Sequence, residues 1–171
     1  MTGKSQHTVY ISEAPKYWKG TFFQHLKKEI ATVKKHYPDA LYLGIADGAK
    51  NNWSFLEQHT SRQLLDFFHV TEYLANVSYA AYPGKTDKPK RAIWLDVRCK
   101  QLKREPGAVD TLISEMEKLA QKNSLTKTVK ENLQAALTYF KNHNQMMDYA
   151  MHTEKNLPIG SGVTEAACKT L

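Results

Sequence analysis

The chain has 171 residues, 42% of them hydrophobic and 24% charged, and a formal net charge of +7. This length and balance fit one globular domain with a real core and exclude a disordered tail. The opening MTGKSQHTVY has no apolar signal stretch, and no run nears the roughly 18 apolar residues of a membrane span, so a cytoplasmic chain with no membrane partner is expected.

In chain order, residues 7 to 11 (HTVYI) read as a short strand. After Pro15, the stretch WKGTFFQHLKKEIATVKKHY places Phe22, Phe23, Leu26, Ile30 and Val33 near helical spacing with lysines between, which predicts an amphipathic helix ended by Pro38-Asp39. A strand is expected over 41 to 46, a short helix around 52 to 58, and a second apolar strand over 64 to 68. VTEYLANVSYAAY reads as a helix. Beyond Pro83-Gly84 come three more helical patterns, at 88 to 104, 108 to 122 and 127 to 147, with no strand signal between them. Pro158 to Gly162 breaks the pattern, and VTEAACKTL opens a last helix. Strands alternating with helices, followed by a helical block, give an α/β layout.

Chemistry gathers where the strands end. Asp47 follows the 41 to 46 run at once, with Gly48 behind it; it either starts a turn or sits in the crevice above the carboxyl end of a sheet, where open α/β sheets place ligands. Asp66 and His69, three residues apart at a strand-to-helix junction, either cap the helix and satisfy a local hydrogen bond, or point into the same crevice, where His69 suits proton transfer or a substrate phosphate. Glu165, after Gly-Ser-Gly, is a first-turn glutamate that either complements the helix dipole or meets Asp47 over the sheet to hold divalent cations through hard oxygens. Cys99 and Cys168 share no close spacing with each other or with histidines, which suggests reduced, structural thiols rather than zinc ligands. The positive charge concentrates in Lys85, Lys88, Lys90, Arg91, Arg98, Lys100, Lys103 and Arg104, eight cations against Asp87 and Asp96. That run is either a solvated helix face or a surface contacting DNA phosphates.

Three motifs in this order, "IADGAKNNWSFL", "LLDFFHVTEYL" and "LPIGSGVTEAACKTL", resemble the second half of a DDE insertion-sequence transposase of the ISKra family, and more distantly Mutator-like transposases. The resemblance covers most of the chain. It implies an incomplete RNase H-like core, a mixed sheet flanked by helices, over 1 to 83, an all-helical insertion contacting transposon DNA over 84 to 157, and the start of the last core helix over 158 to 171. It further implies that Asp47 is the second acid of the catalytic triad and Glu165 the third, both binding two Mg2+ or Mn2+ ions, and that Asp66 and His69 form the family's Asp-x-x-His signature. The partners implied are transposon ends and target DNA, with a homo-oligomer bridging them near the nucleoid.

One feature departs from the family pattern. The first acid belongs to a strand that precedes the one at 7 to 11, and MTGKSQ holds no acid, while Glu13 falls after the strand. The expectation is therefore a piece of the enzyme, truncated at both ends, inactive by itself and marginally stable for want of a central strand. The alternatives are a non-catalytic DNA-binding remnant acting through its basic helices, or a chain completed by an Asp on a separate polypeptide.

Overall fold

The computed structural model describes residues 19–160. The expected strand at 7 to 11, Glu13, Glu165 and Cys168 lie outside them.

Helix α1 (Lys19–His36) leads into strand β1 (Leu43–Ala46), helix α2 (Lys50–His59) and strand β2 (Arg62–Leu65). The two strands pair in parallel, Leu43 opposite Arg62 and Ala46 opposite Leu65, with α2 as the crossover that a parallel pair requires. Gly44 in β1 lets the crossover pack closely on the strand, since a Cβ there would stand 3.1 Å from the Thr60 hydroxyl and 3.2 Å from Leu56. The chain is thus mostly helical with a small parallel sheet, a mixed α/β arrangement.

Both strands are shorter than the apolar runs suggested. β1 begins at Leu43 and not at 41: β2 offers its first partner at Arg62, and Leu41 stays 50% exposed. β2 stops at Leu65 and not at 68, because Asp66 turns the chain into helix α3 (Phe67–Ala81), accepting a hydrogen bond from the Phe68 amide at 2.8 Å. Phe67 and Phe68 are therefore helical. Phe67 packs edge-on against Tyr149 at 5.0 Å, and Phe68 faces outward at 52% exposure.

α3 is the central helix. Its stripe of Phe67, Val70, Leu74 and Val77 is buried at helical spacing. It packs against helices α4 (Lys88–Arg104) and α6 (Lys127–His143), with α5 (Ala108–Ala120) closing the group. α5 buries Val109, Leu112, Met116 and Leu119, and α6 buries Leu133, Ala136, Leu137 and Phe140. Each such leucine or phenylalanine withdrawn from water stabilises the fold by roughly 1.5–3 kcal/mol. One hydrophobic core runs from β2 through all four helices.

The expected helix from 127 to 147 ends at His143 and tightens into a 3-10 turn over Asn144–Met146. Helix α7 (Tyr149–Glu154) follows, which the hydropathy pattern does not announce; Asp148 caps it through the Met151 amide, and Tyr149 is fully buried, donating its hydroxyl to the Leu65 carbonyl at 3.0 Å. That bond ties the end of the helical block to the end of β2.

Candidate active site

Because Ala46 and Leu65 pair in register, the residues that follow them, Asp47 and Asp66, leave the sheet side by side. The Asp66 amide still donates to the Ala46 carbonyl at 2.9 Å, so the ladder holds up to that point. Two carboxylates therefore stand at the carboxyl edge of a parallel sheet, the place the sequence singled out.

Their local roles differ. Asp47 is half-buried, and its Oδ1 accepts from the Ala49 amide at 3.1 Å and from Asn52 Nδ2 at 2.9 Å. Both bonds fall on one oxygen. This fixes the carboxylate plane while Oδ2 accepts no hydrogen bond from the described residues. Asp66 is 1% exposed and serves as the N-cap of α3, as the capping reading expected. His69 sits two residues into that helix beyond Phe67, half-exposed, its Nδ1 3.1 Å from Glu72 Oε2. Asp66 and His69 thus share the first turn of α3 rather than the end of a strand.

The segment leading toward Glu165 returns to the same edge. The Ile159 carbonyl accepts from the Phe67 amide at 3.0 Å, and a Cβ on Gly160 would lie 3.2 Å from Asp66 Oδ1. A Cβ there would press on the Asp66 carboxylate, and glycine lets the backbone approach without that contact.

Tyr139 is a member of the site that sequence reading missed. It reaches the strand ends from α6, its ring stacked on Tyr73 of α3 at 4.0 Å and 18°, with Gly48 against its edge. The hydroxyl is buried and completes no hydrogen bond among the described residues, although the Gly48 amide faces it. Burial above all, then Tyr73 and the Asp47 and Asp66 charges, push its pKa well above the usual tyrosine range, so it remains a donor beside two acceptors. Nothing in the sequence pattern flags a tyrosine 92 positions from Asp47 (139 − 47 = 92).

The donor set suits a hard cation along one side only. Asp47 contributes an available oxygen, and carboxylate oxygens are what Mg2+ and Mn2+ prefer. Among the described residues no three His, Cys, Asp or Glu side chains group closely enough to hold a metal. A complete site needs a further acid, and Glu165 lies outside the described residues.

The cations expected to face DNA are largely engaged within the protein. Arg91 donates to the Tyr82 and Gly84 carbonyls, both at 2.9 Å, and lies over the Tyr79 ring. Arg98 grips Glu115 through two nitrogens, at 2.8 and 3.0 Å. Lys90 pairs with Asp87, Lys100 with Asp96, and Lys103 lies over the Phe67 ring at 4.4 Å. Lys85, Lys88 and Arg104 are exposed and make no ion pair with the described residues. No described helix is long and apolar enough to cross a membrane.

The chain matches no protein-family model, no curated protein and no solved structure.

Proposed function

We propose that the chain forms part of the catalytic unit of a DDE transposase, with an RNase H-like core, that cuts and joins DNA with two divalent cations. The observation that supports this reading is the placement of Asp47 beside Asp66 at the carboxyl ends of paired parallel strands, with Gly160 packed on Asp66. Gly160 stands five residues before Glu165, so the chain alone keeps Glu165 within about 17 Å of it.

On this reading Asp47 Oδ2 and the Glu165 carboxylate are metal ligands, and the Ala49 amide and Asn52 hold the Asp47 carboxylate in place. Mg2+ or Mn2+ bound there supplies activation of the attacking hydroxyl and stabilisation of the leaving oxygen. Glu72 fixes the His69 proton on Nδ1, because a carboxylate can only accept, which leaves Nε2 to take a proton from the substrate or, once protonated, to donate to its phosphate. On this reading the triad takes one more acid besides Asp47 and Glu165, and DNA-bridging multimers are the expected assembly.

Manganese binding to the full chain, followed by calorimetry, is the test. Asp47→Asn and Glu165→Gln should each weaken binding at least about tenfold, the scale of ligand-sphere substitutions. Binding unchanged in both variants overturns the metal assignment.

A further inference from the structure

We infer that α1, and not the basic helix α4, carries the nucleic-acid surface: Lys27, Lys28, Lys34 and Lys35 form a cationic face suited to a phosphodiester backbone. The inference rests on the proposed DNA partner and moves its contact to a different part of the fold.

The face follows from helical geometry. Residues seven apart lie nearly above one another, about 10.5 Å along the axis, so Lys27 with Lys34 and Lys28 with Lys35 make two rows roughly 100° apart. Lys27, Lys28 and Lys35 are exposed, and Lys34 is half-buried over the Tyr42 ring at 5.0 Å. None of the four makes an ion pair with the described residues. Glu29, the carboxylate of this helix, falls on the flank away from Lys27 and Lys34. The basic run from Lys85 to Arg104 is more fully engaged: five of its eight cations are held by carboxylates, carbonyls or a ring as described above, against Lys34 alone, over a ring, among the four lysines of α1.

The chemistry selects a nucleic acid over a lipid surface. A helix that lies on a membrane buries aromatic and aliphatic residues in it. Phe23 is instead stacked on Phe55 of α2 at 4.7 Å, with Phe22 edge-on to it at 5.8 Å and both half-buried, and the surface between the lysine rows holds Gln24 and Ala31. The span of each row is close to the roughly 12 Å width of a major groove, so its two lysines can reach phosphates on both walls.

The test is the salt dependence of binding between the full chain and a random-sequence duplex, read by fluorescence anisotropy. Each lost phosphate contact lowers the slope of log K against log salt by about 0.9. Lys27→Ala/Lys28→Ala/Lys35→Ala should lower it by about 3, against a change below about 1 for Lys88→Ala/Lys100→Ala/Arg104→Ala. A slope change for the α1 variant no larger than that for the α4 variant overturns the inference while leaving the DNA partner intact. A wild-type chain that does not bind duplex DNA even at low salt overturns both, as does equal affinity for anionic vesicles. If the triple variant loses helical signal, Lys28→Ala/Lys35→Ala on the outer row reads the same quantity, with an expected fall of about 2.

Discussion

Tyr139 and Gly48 lie in direct contact: a methyl group on residue 48 would stand 2.6 Å from the ring carbon Cε2 of Tyr139. The ring cannot simply swing aside, because its face is stacked on Tyr73. Gly48→Ala should therefore destabilise the chain by about 1–3 kcal/mol, the usual cost of overpacking. Adding Tyr139→Ala removes the obstacle, so the double variant should lose less than the sum of the two single losses. Thermal melts of the four proteins give the coupling, and strict additivity would mean that the two residues do not meet.

Asp66 has a structural duty that any catalytic duty must be separated from. Asp66→Ala leaves the Phe68 amide without its cap and should cost about 0.5–2 kcal/mol. Asp66→Asn keeps an accepting oxygen, and asparagine caps as well as aspartate, so its melt should fall within about 0.5 kcal/mol of the wild type. The asparagine variant is thus the one to carry into activity measurements. An alanine variant as stable as the wild type would refute the cap.

Arg98 belongs to the fold more than to a DNA surface. Its Nη2 hydrogen bond at 3.0 Å and its Nε ion contact at 2.8 Å to Glu115 join α4 to α5, and the Trp94 indole N–H donates to the same carboxylate at 3.0 Å. Glu115→Ala strands both donors at a half-buried place, and a charge-assisted group losing its partner costs about 1.5–3 kcal/mol. Arg98→Lys should lose part of that stability, since an ammonium cannot span both oxygens. Duplex binding by Arg98→Lys should match the wild type; a fall in binding with unchanged melting would return Arg98 to the DNA surface.

The helices and the strand-end acid were legible in the sequence because their signals are local. The buried stripe of α5 repeats every three or four residues, and Asp-Gly after an apolar run marks where β1 must stop. What escaped depends on contacts far apart in the chain. β2 ends where Asp66 finds the Phe68 amide, so the apolar pair Phe67-Phe68 reads as strand until the cap is seen. Tyr139 reaches Gly48 only through the packing of α6 on α3. The basic run from Lys85 to Arg104 looked like a phosphate surface by charge alone, whereas its carboxylate and carbonyl partners sit on other turns and other helices. The lysines of α1 carry the smaller excess and keep more of it available.

His59 reports on both the fold and the lysine face. Burial first, then Lys34 and Lys27, hold its pKa below the ordinary 6.5, so the folded chain disfavours its protonation. The unfolded chain takes up that proton below pH 6.5 while the folded chain resists, so the contribution to stability is complete above 6.5 and is lost as pH falls through the lower folded value. His59→Gln should flatten this part of the stability curve. Phosphates seated on Lys27 and Lys34 cancel the part of the shift those lysines cause and leave the part due to burial. An NMR titration should therefore show the His59 midpoint rising toward 6.5 when duplex DNA is added, and DNA affinity should increase as pH falls across the interval between the two midpoints. A midpoint that does not move would mean that DNA leaves Lys27 and Lys34 untouched.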